Sequence, residues 1–353
     1  MNIHYTDKLQ LTDNEYNVIH DNNNFCELID KIIDSEKGCL ILGSAGTGKT
    51  TLLNQLTERL NDKKILKLCP TNKSAILIGG ETLDKFSYNF IHQTKKLAKY
   101  KNIDYIFVDE ISMVKSFFYS ILLTIKQYNP KIRFIISGDF FQLPPVNDSF
   151  TSNYEKSRAL FELVDGNKLL LSKCRRSSDV LFKICESVKV GKIIDKSIFG
   201  KIKTMKNLSY TNHTRMIINK VCNDRFIQQH KKQYYLVKKL SYDDNSQDMK
   251  VTKGVPLIAR VNNKQIDIVN NETFEVENVD ANTCVVKNEF KTINIDTEKL
   301  SHFFNMAFCI SIHKSQGETY DEDYTIYEWH KLDKHLKYVS LSRSRDLKYI
   351  NVV

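Results

Sequence analysis

Eight consecutive residues, Gly43-Ser44-Ala45-Gly46-Thr47-Gly48-Lys49-Thr50, fit the spacing G-x-x-x-x-G-K-[ST]. Glycines so placed let backbone N–H groups turn inward around phosphate oxygens. Lys49 is then set to reach β- and γ-phosphates and Thr50 to offer a hydroxyl to Mg²⁺, with Thr51 closing the phosphate-binding run. Asp109-Glu110 end an apolar run, Tyr105–Val108. An Asp there can hold Mg²⁺ through water, and the adjacent Glu can orient and deprotonate an attacking water. A further run ends at Gly138-Asp139, and Gln142 follows it, where an amide can sense a γ-phosphate by exchanging partners. Taken singly, Asp109-Glu110 also reads as a solvated turn and Gln142 as part of a Pro-terminated loop. Downstream of the phosphate loop, they make nucleoside triphosphate hydrolysis the leading chemistry.

These residues need a scaffold that brings several strand ends together. Cys39–Leu42, Ile65–Cys69, Tyr105–Val108 and Arg133–Ser137 are short apolar runs, each stopped by Gly, Pro or Asp. Each has the length of a strand buried on both faces, and stretches such as Thr50–Leu60 suit crossover helices. The alternation predicts an α/β fold with parallel sheets and flanking helices, with polar residues at the carboxyl ends of the strands. In the second half, Asn207–Tyr210, Met306–Ile310, Tyr324–Tyr327 and Tyr349–Val352 predict a second sheet. Val255–Ile295, rich in Val, Ile, Thr and Asn, predicts a small antiparallel β insertion, joined through a polar connector at Ser241–Lys250.

The chain has 353 residues, room for two ordinary domains. Its composition, 41% hydrophobic and 27% charged, excludes wholesale disorder. No apolar run approaches the roughly 18–20 residues of a membrane span, and Met1–Gln10 contains no apolar signal core, so no membrane association and no secretion are expected. Eight cysteines contain no Cys-x-x-Cys pair, which argues against a zinc ribbon or redox motif and for reduced thiols in cytoplasm or nucleus. The formal net charge of +10 points toward a polyanionic partner.

Four strings carry a family likeness: Val108-Asp109-Glu110-Ile111-Ser112-Met113-Val114, the Gly138–Val146 stretch, Ser311-Ile312-His313-Lys314-Ser315-Gln316-Gly317, and Tyr338-Val339-Ser340-Leu341-Ser342-Arg343. With the phosphate loop, and in this order from about Leu11 to Ile350, they resemble superfamily 1 helicases of the Pif type, near the RecD-like and Dda-like branch, in a compact viral or phage-like form. The resemblance implies two RecA-like P-loop domains, 1–168 and 169–353. It places a short wedge-like insertion at about 84–104 and a small β-barrel insertion at about 252–304. It also implies ATP and Mg²⁺ as cofactors. Lys49, Glu110, Gln142, Arg176 and Arg343 would be catalytic, and Thr50 and Asp109 would hold the metal. Gly317 would join the nucleotide contacts. Asp179 and Phe182 select Arg176 over Arg175 as a first arginine finger, with Arg343 as the second. Guanidinium groups from the opposite domain would neutralise charge on the γ-phosphate.

The family grips single strands with loops from both domains. The matching residues are Pro70, Thr71, Asn72, Lys73 and Thr82 in the first half, and Thr211, Asn212, His313, Lys314 and Ser315 in the second, with Asn219 in the same element as Thr211. Phe86 leads an aromatic run on which a base could stack. The family's adenine-reading Gln is replaced by Glu15, with Gln10 and Asn14 nearby, and a customary His by Asp84. The implied function is an ATP-dependent DNA helicase moving 5′→3′ on single-stranded DNA and acting at duplex junctions in replication, recombination or repair. It would be a monomer, working with a single-strand-binding or replisome protein, and if viral, at the site of viral genome replication. The alternatives are an RNA helicase, or a single-strand translocase that displaces proteins without strong unwinding. A nucleotide-dependent binding module would have no use for the full catalytic set, and a small-molecule kinase would not account for the motifs beyond Gln142.

Overall fold

The computed structural model describes residues 16–92, 97–145, 148, 154–230 and 233–353. In chain order the first elements are β1 (Asn17–His20), α1 (Phe25–Asp34), β2 (Cys39–Gly43), α2 (Lys49–Arg59), β3 (Ile65–Cys69), α3 (Asn72–Ile78) and β4 (Glu81–Thr82). They are followed by α4 (Leu83–His92), β5 (Tyr105–Val108), α5 (Ser116–Tyr128), β6 (Arg133–Gly138), α6 (Arg158–Leu163), β7 (Asn167–Leu171) and α7 (Asp179–Lys189).

The first seven strands form one parallel sheet in the order β1-β7-β2-β6-β5-β3-β4. The apolar runs are strands because both of their faces are covered. Leu40, Leu42, Ile106, Val108, Phe134 and Ile136 pack on one side against α4, α5 and α6. Their neighbours Cys39, Ile41, Tyr105, Phe107 and Ile135 pack on the other against α1 and α2. Period-two alternation thus splits each run between two cores, and the carboxyl ends of β2, β5 and β6 come side by side.

The chain divides into two compact units after Phe182. The boundary expected at 168/169 falls inside β7, which pairs with both β1 and β2 and so belongs to the first sheet. The stretch expected to hold a wedge contains α4 and a 3₁₀ turn at Ala98–Asn102, and no strand among the described residues.

The second unit continues with β8 (Asn207–Ser209), α8 (Asn212–His230), β9 (Tyr235–Val237), β10 (Met249–Val251), β11 (Pro256–Ala259), β12 (Thr273–Val279), β13 (Thr283–Lys287) and β14 (Thr292–Asp296). It ends with α9 (Leu300–Phe303), β15 (Phe304–Met306), β16 (Cys309–Ser311), β17 (Tyr324–Ile326), α10 (Lys334–Leu341) and β18 (Ile350–Val352). A parallel sheet runs β16-β8-β17-β18. The insertion is a five-stranded antiparallel sheet, β14-β13-β12-β11-β15, around a core that includes Leu257, Phe274, Val276 and Val286. Its edges are β14 and β15, so the sheet is open where a barrel was expected. The single run predicted at Met306–Ile310 is cut in two. β15 pairs with β11 in the insertion and β16 with β8 in the parallel sheet.

All eight cysteines are free thiols, six of them buried. No helix among the described residues is long and apolar enough to cross a membrane. Asn219, expected near nucleic acid, is fully buried on α8. Its Nδ2 donates to the Cys309 carbonyl and its Oδ1 accepts from the Cys309 N–H, both at 2.9 Å. It thereby satisfies β16, an edge strand of the parallel sheet. Asn219→Ala would strand two buried backbone groups and should cost about 2–4 kcal/mol in denaturant unfolding. Asn219→Asp keeps the acceptor but sets a buried carboxylate oxygen against the Cys309 carbonyl, and should cost at least as much at neutral pH.

Candidate functional site

The phosphate loop leaves β2 at Gly43 and enters α2 at Lys49. Gly46 and Gly48 have φ of +84° and +93°, a left-handed backbone that glycine adopts without strain. A Cβ on Gly48 would also lie 2.9 Å from the Phe25 ring. Thr47 is buried, and its hydroxyl donates to the Ser44 carbonyl at 2.9 Å. Lys49 Nζ donates to the carbonyls of Gly43 (2.7 Å) and Ser44 (3.1 Å), folded back over the loop it serves. Thr51 is exposed on α2, one residue beyond Thr50.

Asp109, 4% exposed, sits just past β5. Its Oδ2 accepts from the Thr50 hydroxyl at 3.3 Å. Its Oδ1 accepts from the Glu110 N–H at 2.9 Å and from the Ser137 hydroxyl of β6. Glu110 has φ +56°, a turn that a non-glycine residue rarely makes. Gly138 gives that turn room, since a Cβ there would meet the Ile111 nitrogen at 2.9 Å. Gln142 is buried in the turn after β6, with its N–H on the Asp139 carbonyl at 2.9 Å. Thr50 and Asp109 therefore present a hydroxyl and a carboxylate together. That pair suits a hard cation that keeps several waters and shares phosphate oxygens. No cluster of three or more His, Cys, Asp or Glu among the described residues would hold a metal by itself.

Of the two neighbouring arginines, Arg175 is a clamp. Its N–H donates to the Gly46 carbonyl at 2.8 Å and its Nη1 to the Thr47 carbonyl at 2.7 Å. Its guanidinium grips Asp21 through Nη1 (3.3 Å) and Nη2 (3.2 Å) and lies over Phe25, 4.3 Å from the ring centroid. Arg176 lies beside Gly46, its Cβ 3.1 Å from where a Gly46 Cβ would stand. It belongs to the same unit as the phosphate loop, where the family likeness implied the opposite domain.

Arg343 is the residue implied as the second finger. It is 2% exposed in the second unit. Its Nε donates to the Val339 carbonyl, Nη1 to the Ser315 and Glu318 carbonyls, and Nη2 to the Ser342 hydroxyl. It ties α10 to the loop around Gly317 (φ +81°).

The nucleic-acid residues sort similarly. Pro70, Asn72, Lys73 and Thr82 are partly exposed around α3 and β4, and Thr71 caps α3 through the Ser74 N–H. Phe86, expected to stack a base, is 1% exposed and packs against Phe90 and Tyr100. Tyr88 is the exposed aromatic of that helix, at 65%, with its ring 4.4 Å from that of His92. Helical phase decides this, and the aromatic run alone did not reveal it. Asp84 stands in the first turn of α4, where a carboxylate complements the helix dipole.

In the second unit Asn212 and His313 are exposed, whereas Ser315 is fully buried and donates to the Ile312 carbonyl. Thr211 is engaged by Glu328, described below. Burial and the charges of Arg215 and Arg260 bring the Lys314 ammonium down to about 8. Asp21 and Arg215, which hold or charge these neighbourhoods, are residues that the sequence analysis did not single out. Glu15, Gln10 and Asn14 lie outside the described residues, as does Val146 at the end of its motif.

A family model described as an AAA domain matches residues 28–148. An ATP-dependent DNA helicase Pif1 of Bdellovibrio bacteriovorus is 23% identical over 384 residues, 91% of this chain and 85% of that protein. An ATP-dependent DNA helicase PIF1 of Danio rerio is 29% identical over 187 residues, 46% of this chain and 29% of its own length. A crystal structure of Bacteroides Pif1 bound to ssDNA superposes with a TM-score of 0.68 at 20% identity, covering 93% of this chain and 91% of that one. The chain resembles the Pif1-type helicases of superfamily 1. The shared Pif1 fold is α/β, with two RecA-like domains.

Removing Arg175 tests its clamp role. The Asp21 side chain is 1% exposed. Burial alone would raise its carboxyl, but hydrogen bonds from Arg175 and from the N–H groups of Asn23 and Lys173 outweigh burial and hold it below the usual range. Arg175→Ala should cost about 3 kcal/mol at neutral pH, read by denaturant unfolding. A depressed carboxyl stabilises above its unfolded pKa and loses that contribution as pH falls through the folded value. Wild-type stability should therefore drop below about pH 4 more steeply than that of Arg175→Ala.

Proposed function

We propose that this chain is an ATP-dependent DNA helicase that translocates 5′→3′ on single-stranded DNA and couples hydrolysis to unwinding at duplex junctions. The observation that carries this reading is the assembly of Lys49, Thr50, Asp109 and Glu110 at one edge of a parallel sheet, in a chain aligned over 91% of its length with a Pif1 helicase. Thr50 and Asp109 would hold Mg²⁺, which supplies positive charge to the phosphate oxygens. Lys49 exchanges its loop carbonyls for β- and γ-phosphate oxygens. Glu110, aimed by its left-handed backbone, orients and deprotonates the attacking water. Gln142 reports the γ-phosphate, and Arg176, beside Gly46, neutralises charge developing there. Asn72, Lys73, Asn212, His313 and Lys314 hold the strand by its backbone without reading sequence. A monomer working in cytoplasm or nucleus, with a single-strand-binding or replisome partner, belongs to the same reading.

One observation favours a second reading. Among the described residues, the stretch between Thr82 and Tyr105 holds a helix and a 3₁₀ turn and no strand. Such a protein could translocate on single strands and displace proteins with little strand separation.

Duplexes with a 5′ or a 3′ overhang test the proposal. Unwinding of the 5′-tailed substrate alone is the expected result. Unwinding only from 3′ tails would refute the polarity, and stripping of a bound protein without unwinding would select the second reading. Lys49→Ala should reduce DNA-stimulated ATP hydrolysis by on the order of a hundredfold or more. Tyr88→Ala should weaken oligo-dT binding by about 1–3 kcal/mol at unchanged melting temperature. Phe86→Ala should instead destabilise the fold by about 3–5 kcal/mol.

A further inference from the structure

Strands β8 and β17 are parallel neighbours, and both end at the same edge of the second sheet. Beyond β8 the chain turns through Tyr210 and Thr211 into α8. Beyond β17 it passes Tyr327, whose N–H donates to the Leu208 carbonyl at 2.9 Å, to Glu328. Glu328 has φ +60° and a side chain only 8% exposed. Its Oε2 accepts from the N–H groups of Tyr210 (3.1 Å) and Thr211 (2.9 Å), and its Oε1 from the Thr211 hydroxyl at 3.0 Å. Lys331 donates to Oε1 at 3.0 Å. The Thr211 hydroxyl in turn accepts from the Thr214 N–H at 3.2 Å, capping α8.

The Thr211 N–H is thus directed at a carboxylate of its own chain, and its hydroxyl is shared between that carboxylate and the Thr214 hydroxyl at 3.1 Å. Burial would raise that carboxyl, yet the Thr211 N–H, the Lys331 ammonium and the hydroxyls of Thr211 and Thr214 together push it down to about 2. A backbone phosphate could compete for these donors only as another acceptor, against a buried carboxylate that already holds four of them. The contact is therefore a fixed strut and not a gate. What it fixes is the start of α8. Asn212 is exposed there, its Oδ1 accepting from Arg215 Nε at 3.1 Å. Arg215 is 4% exposed, with its Nη1 lacking a hydrogen-bond partner and its charge felt at Lys314. Asn212 is thus tied to Arg215, whose charge also reaches Lys314, and the turn leading into it is held by Glu328, 117 positions beyond Thr211.

We propose that Glu328 is a positioning residue for the nucleic-acid grip of the second unit, locking the Tyr210-Thr211 turn so that Asn212 meets the strand backbone in a fixed register. This rests on the reading of the chain as a single-strand-binding ATPase. Thr211 acts through Glu328 and does not itself contact the strand.

The test compares wild type, Glu328→Gln and Thr211→Val in oligo-dT binding by fluorescence anisotropy, in ATP hydrolysis across a dT titration, and in melting temperature. Glu328→Gln turns one acceptor into a donor facing two N–H groups, with no change in size. It should raise the Kd for oligo-dT, and the dT concentration giving half-maximal hydrolysis, roughly tenfold. kcat at saturating dT should stay within about twofold, since the phosphate loop lies elsewhere in the chain. Thr211→Val should act in the same direction, and the double variant should add little to either single change. Unchanged dT affinity in a folded Glu328→Gln protein overturns the proposal, as does a loss of kcat without a change in Kd. If Glu328→Gln does not fold, the proposal stands or falls on Thr211→Val, where unchanged affinity overturns it. A wild-type protein that binds no dT overturns the helicase reading itself, which separates the two failures.

Discussion

Asp109 receives three donors from three parts of the first unit: the Thr50 hydroxyl at the start of α2, the Glu110 N–H just beyond β5 and the Ser137 hydroxyl of β6. A buried carboxylate must be satisfied in this way, because an unpaired charge in a dry interior is among the costliest defects a fold can carry. Satisfying it has consequences for every neighbour. It pins the first turn of α2 to the end of β5, and so fixes where the phosphate loop can bend. It holds the backbone of Glu110 in a left-handed turn, which aims that side chain. It keeps β5 and β6 in step, so the turn bearing Gln142 leaves the sheet at the same edge. The nucleotide chemistry proposed for this unit is thus one hydrogen-bonded cluster, not a set of independent motifs.

The cations show a second constraint. Guanidinium and ammonium groups tolerate burial only when their donors find acceptors. Arg175 meets that demand with Asp21 and the Thr47 carbonyl, and Arg343 with three carbonyls and a hydroxyl of its own unit. Both are structural ties. Lys49 uses loop carbonyls, acceptors that phosphate oxygens can replace. The chemical role of a cation here follows from what its hydrogens are bonded to, and residue type says little about it.

The central strands β2, β5 and β6 were legible because both of their faces are buried, so their sequences are continuous apolar runs. β7 was not, because its side chains alternate between buried and half-buried, and β1 is a largely exposed edge strand. The strands of the second parallel sheet span three residues each, and the apolar runs at Asn207–Tyr210, Tyr324–Tyr327 and Tyr349–Val352 contain three of them, whereas the run at Met306–Ile310 joined two strands of different sheets. The Val-, Ile-, Thr- and Asn-rich stretch Val255–Ile295 announced antiparallel strands. Whether that sheet closed into a barrel depended on pairings that no local pattern records.

The sequence by itself determined the chemical inventory of the nucleotide site: glycines where the backbone must turn left-handed, a lysine and a threonine at the helix start, and carboxylates at a strand end. Those requirements are local, since they concern backbone freedom and residues adjacent in the chain. Tertiary structure alone decided which side chains stay available. It turned Phe86 into the core and Tyr88 outward, gave Arg175 to Asp21, folded Arg343 inward and set Glu328 against Thr211. Each of these outcomes depends on burial or on a partner far away in sequence, and a linear pattern contains no record of which distant group will arrive to make the bond.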